Sequence, residues 1–472
     1  MSAAVPIPLW LIVIGSALAL FGLVDRILTP SVKWFLQRRA NHAIEELNAR
    51  LRLKIRPFKT TSRQVLIDRL AHDPDIILAA EAHAKAENMP LSVASDMVQR
   101  YATEIVPAFS AHIYFRIGAR LARWFSTALY RVRLGYLNAE ALEKIDPNAA
   151  VIFVMNHRSN MDYILVTYMA SNQTALSYAV GEWARIPVLQ TLIRSMGAYF
   201  IRRNSRDTLY RKVLARYVQM STDAGVTQAI FPEGGLSRDG RMRPAKLGLL
   251  SYILDSYRAE GRDIVFVPVG LNYDRVLEDR SLIGEIDGPP PKIRVGKKIL
   301  DALRFVASNL WLRLSGKYYR FGYASVSFGT PRSLREFLAE QKVGNLHYAP
   351  EDKRSEVVEN LGAVLMSDVG KVIPALPVSL VATALIEAGE TGIDLLSMKA
   401  RVDALIDRLE AKGAHVHVPR KDRDYAVTAG LRMLVLRHLV SEDMGGVFRI
   451  AQGENRVIAY YANSIAHHFA TA

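Results

Sequence analysis

The sequence predicts an α/β domain set between two helical domains and preceded by a membrane segment. Three observations carry that prediction. Residues 5–24 (VPIPLWLIVIGSALALFGLV) run without a charge for the length a bilayer crossing needs. Between about 138 and 345, short apolar runs bounded by turn residues alternate with stretches of helical periodicity. On either side of that region the apolar residues recur at helical spacing alone.

Residues 1–40 read as an uncleaved anchor, because no basic region precedes the apolar run and no clear small-residue cleavage site follows it. Lys33, Arg38 and Arg39 come after it with no Lys or Arg before it, an asymmetry that places the bulk of the chain in the cytoplasm. Residues 41–137 read as a basic helical domain without a strand. Within it, PAFSAHIYFRIGARLARWFSTALYRVRL sets Arg116, Arg120, Arg123, Arg131 and Arg133 among Ile, Phe, Leu and Trp. That composition suits an amphipathic helix on acidic lipid and, equally, a core helix with one solvated face.

Residues 138–345 form the predicted α/β domain. AAVIFVM, ALSYAV, GAYFI, TQAIFP, DIVFVPVG and YASVSFG are its strands, and their nearly continuous apolar character fits a sheet covered on both faces. MDYILVTYMA, RDTLYRKVLARYVQM and KLGLLSYILDSYR are its helices, and EIDGPPPKIR is a surface loop. Residues 346–472 return to helices, notably DLLSMKARVDALIDRLEAKG and AVTAGLRMLVLRHLVSEDMGG, whose glycines act as C-terminal stops.

Composition removes several kinds of chemistry. The chain has no cysteine, which excludes disulfides, thiolate nucleophiles and cysteine-based metal sites, and it carries no metal-binding signature. The net charge of +15 predicts attraction to polyanions, and the apolar N-terminal run selects a phospholipid membrane over nucleic acid as the partner.

His157 and Asp162, inside MNHRSNMDY, are the candidate acid–base pair. Spacing is poor support, since it recurs at His347/Asp352, His417/Asp422 and His438/Asp443. Context separates them: only His157 follows a buried-strand pattern and directly precedes a helix, with Ser159 and Asn160 available as caps. In α/β sheets that junction is where ligands bind and where helix N-termini attract anions. The other three histidines read as solvated, His438 within a helix. An imidazole so placed can take the proton of an attacking alcohol, and an aspartate on its other nitrogen fixes the tautomer. No G-x-S-x-G elbow appears, which argues against a covalent serine intermediate. Arg202 and Arg203 after one strand, Glu233, Gly234, Gly235, Ser237 and Arg238 after another, and Pro268 and Gly270 at a third suggest a shared pocket.

The blocks NHRSNMDY, GAYFIRR, FPEGGLSRDGR and VPVGLNY, in that order, resemble those of bacterial membrane-bound glycerol-3-phosphate acyltransferases and their dihydroxyacetone-phosphate acyltransferase relatives. The likeness extends to IRPFKTTSRQVLIDRLAHDP upstream and to LPVSLVATALI and VIAYYANSIAHHF downstream. It implies an acyltransferase domain with a mixed sheet covered by helices, attached to the cytoplasmic side of the inner membrane. It also implies transfer of a fatty acyl group from acyl-CoA or acyl-acyl carrier protein to position 1 of glycerol 3-phosphate, giving lysophosphatidate without a cofactor. On that resemblance His157 and Asp162 are catalytic, and Arg158 fills the arginine slot following the histidine. Arg202, Arg203 and Arg238 hold the phosphate, Glu233, Gly234 and Ser237 belong to the same site, and Pro268 shapes the acyl pocket. One departure matters: Leu236 stands where the family usually has an arginine, and Lys246 or Arg241 is the nearby cation that can replace it. A second is that the chain ends just after YYANSIAHHF, where larger relatives continue. Two other functions share parts of this pattern, acylation of lysophosphatidate at position 2 and a membrane-docked lipid-binding protein without catalysis.

Overall fold

The computed structural model describes residues 44–171, 173–181, 187–202, 205–288, 321–343, 346 and 349–469. The predicted anchor at 1–40, Arg203, His347 and most of the loop EIDGPPPKIR lie outside them. Among the described residues no helix is long and apolar enough to cross a membrane. The elements below all belong to one unit, Ile55–Ala472.

The strands are β1 (Arg131–Leu137), β2 (Ala150–Met155), β3 (Ser177–Val180), β4 (Tyr199–Phe200), β5 (Gln228–Ile230), β6 (Ile264–Tyr273), β7 (Tyr323–Phe328) and β8 (Arg332–Ser333). They form a mixed sheet in the order β1-β7-β6-β2-β5-β3-β4, with β8 paired to β6. The run β6, β2, β5, β3, β4 is parallel, and β7 and β8 pair antiparallel with β6. Every residue of β2 and β6 is buried, as central parallel strands with both faces covered require. Pro268 sits inside β6 without harm because its carbonyl, on the same edge as its nitrogen, meets the Gly329 N–H at 2.8 Å, in the seam between β8 and β7. The missing donor therefore falls where no ladder bond is due.

Before the sheet come α1 (Arg63–Ala71), α2 (Pro74–Ala86), α3 (Leu91–Ile105) and α4 (Ala119–Leu129), the last entered through a π-turn, Ile113–Gly118. The prediction of no strand before residue 138 is corrected by β1. Its sequence, RVRLGYL, alternates Val132, Leu134 and Tyr136 with arginines and glycine, a period of two that the apolar helical run before it obscured. As the sheet's outer strand, its arginines also guard the unpaired edge.

Within the sheet region run α5 (Met161–Ala170), α6 (Pro187–Ser195), α7 (Thr208–Asp223), α8 (Gly248–Leu254) and α9 (Asp279–Gly284). Asp207 caps α7 by accepting from the Tyr210 N–H at 3.0 Å. The chain then forms α10 (Leu334–Glu340), α11 (Glu351–Val372), α12 (Pro377–Ala388), α13 (Leu395–Ala411), α14 (Arg423–Leu436) and α15 (Asn455–Ala462). The C-terminal region is not helical throughout: β9 (Ile393–Asp394), β10 (Val440–Glu442) and β11 (Val447–Ile450) make a small antiparallel sheet. Strands of two to four residues are too short to show a period, which is why the sequence concealed them. Helix α11 packs on β6, and α12 packs on α14 and α15.

Candidate active site

His157 and Asp162 are brought together. Strand β2 ends at Met155, the chain turns through residues 156–160, and Asp162 is the second residue of α5. The Asp162 Oδ2 atom accepts from His157 Nδ1 at 2.8 Å and from the backbone N–H groups of Arg158 at 2.7 Å and Ser159 at 3.0 Å. Its Oδ1 accepts from the Tyr273 hydroxyl at 2.7 Å. With two backbone N–H groups and the Tyr273 hydroxyl already donating to this carboxylate, the tautomer that fits has its hydrogen on Nδ1 and a lone pair on Nε2. That Nε2 is buried and has no hydrogen-bond partner among the described residues. The ring is held flat against Phe231, centroids 4.1 Å apart, and edge-on to Tyr163 at 5.5 Å.

Glu233, three residues past the end of β5, braces the same turn. Its Oε1 accepts from the His157 N–H at 2.9 Å and its Oε2 from the Arg243 N–H at 3.2 Å. Burial pushes its carboxyl up to about 7, against the pull of those N–H donors and of the Arg158 and Arg243 charges. Gly234 has φ +69, and a Cβ there would lie 2.5 Å from Lys246 Cδ, so the glycine both makes the turn and leaves room for the lysine stem. Ser237 is structural in this arrangement: its N–H donates to His157 O at 3.0 Å and its hydroxyl to Arg241 O at 2.8 Å.

The arginines expected at the substrate site divide differently from the expectation. Arg158 is buried and its guanidinium donates to the carbonyls of Gly240 and Ser464, so it ties loops together and does not face an open site. Arg202 lies past β4, three strands from β2, or about 14 Å at normal strand spacing. It forms a two-toothed ion pair with Glu104 of α3, at 3.0 and 2.6 Å, between the rings of Tyr101 and Tyr210. Arg238 pairs with Glu285 at 3.1 Å. In contrast the side chains of Lys246, Arg241 and Arg243 form no salt bridge among the described residues, although the Arg243 N–H and charge act on Glu233. Arg243 was not anticipated; only its place ten residues beyond Glu233 could have drawn notice.

Pro268 does not line the apolar cavity beside the histidine. That cavity, about 290 Å³, lies between α4, α5 and α6 and is lined by Leu121, Phe125, Met161, Tyr163, Ile193 and Met196 among others. Tyr163 connects it to the His157 ring. Pro268 instead borders a separate cleft of about 690 Å³ with Tyr136, Thr330, Glu336 and His415.

Two further residues escaped the sequence. Glu278 accepts from the Ser159 hydroxyl at 2.7 Å and from Asn160 Nδ2 at 3.1 Å, and burial raises its carboxyl above the usual range. Tyr273 ends block four and reaches Asp162. The competing histidines differ from expectation in detail. His417 is half-buried with its Nε2 unpartnered and its ring edge-on to Tyr323, so it is not a solvated residue. His438 is exposed but lies beyond the end of α14, in the left-handed region at φ +55. Neither forms a hydrogen bond to the aspartate five positions on among the described residues.

Residues 137–272 match the acyltransferase family, and residues 310–472 match the glycerol-3-phosphate acyltransferase C-terminal region. A protein of Pseudomonas putida named glycerol-3-phosphate acyltransferase is 29% identical over 440 residues, covering 89% of this chain and 51% of its own length. One of the same name from Ectopseudomonas mendocina is 30% identical over 421 residues, covering 86% and 49%. The chain spans about half the length of the curated relatives it matches. The resemblance carried by the four blocks is borne out by these matches. A solved 1-acyl-sn-glycerophosphate acyltransferase from Thermotoga maritima aligns at 19% identity over 54% of this chain and 78% of its own, with a TM-score of 0.30, too slight a likeness to bear on architecture.

Proposed function

We propose that this chain is a glycerol-3-phosphate 1-O-acyltransferase in which His157 is the general base and Asp162 its orienting acid. The observation that carries the proposal is the buried, unpartnered Nε2 of a histidine whose Nδ1 is fixed by a four-donor aspartate. The substrate hydroxyl gives its proton to Nε2 as its oxygen attacks the thioester carbonyl of acyl-CoA or acyl-acyl carrier protein. The tetrahedral adduct then collapses: the C–S bond breaks, and the imidazolium returns the proton to the leaving thiolate. The acyl chain occupies the apolar cavity beside Tyr163, whose lining suits a hydrocarbon.

For the acceptor phosphate, Lys246 and Arg243 are the favoured ligands. Arg202 and Arg238 would each have to give up a side-chain ion pair, whereas Lys246 forms none among the described residues and Arg243 meets Glu233 through its backbone N–H. The Lys246 stem packs against Gly234, two positions before Leu236, where the family's arginine is missing. With purified protein and one acyl-CoA, glycerol 3-phosphate is expected to be acylated faster than lysophosphatidate; the reverse order would move the protein to the position-2 reaction. Lys246→Ala is expected to raise KM for glycerol 3-phosphate by about tenfold with a smaller effect on kcat, as loss of a phosphate contact does.

The protein also docks on an anionic bilayer at the cytoplasmic side of the inner membrane, in this reading. Besides the apolar N-terminal run, the π-turn and α4 leave Ile117, Leu121 and Trp124 exposed. Arg116, Arg120 and Arg123 are exposed around them and have no acidic partner among the described residues. An apolar ridge fringed by unpaired arginines fits an acidic lipid surface. Deleting residues 1–39 is expected to release most of the protein from acidic vesicles in a flotation assay, and Trp124→Glu the remainder. Full retention of the double variant would refute both contacts.

A further inference from the structure

Asp162 is held from two directions. Three of its donors, His157 Nδ1 and the N–H groups of Arg158 and Ser159, all meet Oδ2 and all come from the turn between β2 and α5. Oδ1 has one donor, the Tyr273 hydroxyl, and that donor comes from the end of a different strand, β6. Asp162 and Tyr273 are both fully buried, so no solvent stands ready to replace that contact. The three bonds on Oδ2 anchor the carboxylate at one oxygen; the bond to Oδ1 holds the other and completes the restraint on its plane. The plane in turn sets where the imidazole points its Nε2.

We infer that Tyr273 is a positioning residue for acyl transfer: its hydroxyl fixes the Asp162 carboxylate so that His157 presents Nε2 to the substrate alcohol. The inference rests on the proposed role of His157 as base. Burial and the neighbouring Asp162 charge push the Tyr273 phenol well above its usual range, so it keeps its proton and donates. The ring has a separate, packing role, tilted against Tyr130 with centroids 5.4 Å apart. Tyr130 supplies an internal control, because its own hydroxyl donates to Arg275 O at 2.8 Å and does not touch the dyad.

The test compares Tyr273→Phe, Tyr130→Phe and His157→Ala in the full chain, with glycerol 3-phosphate and one acyl-CoA. Tyr273→Phe keeps the ring and is expected to lower kcat about tenfold, the effect of losing one hydrogen bond to a charged group, with both KM values within about twofold. Tyr130→Phe, which removes a hydroxyl from the same ring cluster, is expected to leave kcat unchanged. In an Asp162→Ala background, Tyr273→Phe is expected to cost nothing further, since the group it holds is gone. Unchanged kcat in Tyr273→Phe, an equal loss in Tyr130→Phe, or a full additional loss in the Asp162→Ala background would each overturn the inference. If His157→Ala retains activity, the proposed chemistry itself fails; if it is inactive while Tyr273→Phe is fully active, only the role of Tyr273 falls.

Discussion

His157→Ala is expected to lower transfer of a labelled acyl chain to glycerol 3-phosphate by about a thousandfold, within the range that removal of a general base produces. An alcohol is a poor nucleophile at neutral pH, and no second group in the turn can replace the base. Asp162 is engaged by four donors, and Glu233 is turned to the backbone N–H groups of His157 and Arg243. His417→Ala and His438→Ala are expected to keep nearly full turnover, because neither histidine is bonded to its spaced aspartate. His417→Ala loses a ring contact with Tyr323, so its effect should appear in the unfolding midpoint and not in kcat. Comparable losses of turnover from all three would mean that the choice of His157 had no chemical basis.

The local grammar of strand, turn and helix made the dyad legible. AAVIFVM could only be a covered strand, and the polar turn after it had to emerge at a carboxyl end, where β2, β4, β5 and β6 all deliver their blocks. What the sequence could not reveal was the far end of each side chain. Arg202 read as a phosphate ligand and Arg158 as a substrate-site residue, since a guanidinium after a strand looks the same whether it meets a ligand, two carbonyls or Glu104. Those partners lie 82, 306 and 98 positions away, and no periodicity reports such pairings. Tyr273 was invisible for the same reason: its hydroxyl acts 111 positions from its place in the chain. Strand β1 was missed on other grounds, because its arginines belong to an edge strand's defence and were read with the basic helix before it.

The matched C-terminal region acquires a physical role through Arg158. Its buried guanidinium joins Gly240, in the turn of block three, to Ser464, just past α15. Three other contacts bind the same pieces. The Asn463 side chain donates to Asp239 O at 2.8 Å, and Asn272 of β6 donates to the Ser464 hydroxyl at 3.2 Å. Gly240, at φ +83, lies so close to Tyr460 that a Cβ would fall 1.9 Å from its carbonyl oxygen. Arg158→Ala strands two buried carbonyls at about 1–3 kcal/mol each. The variant is therefore expected to lose about 3 kcal/mol of stability, measured as a lower denaturant midpoint, and to lose turnover as the block-three turn loosens. Arg158→Lys can satisfy one carbonyl at a time and should fall between. A phosphate ligand would behave in the opposite way: an unchanged midpoint with a large rise in KM for glycerol 3-phosphate would return Arg158 to the acceptor site. The two outcomes separate because a guanidinium facing substrate is solvated until substrate arrives, whereas this one is satisfied by the protein before any ligand binds.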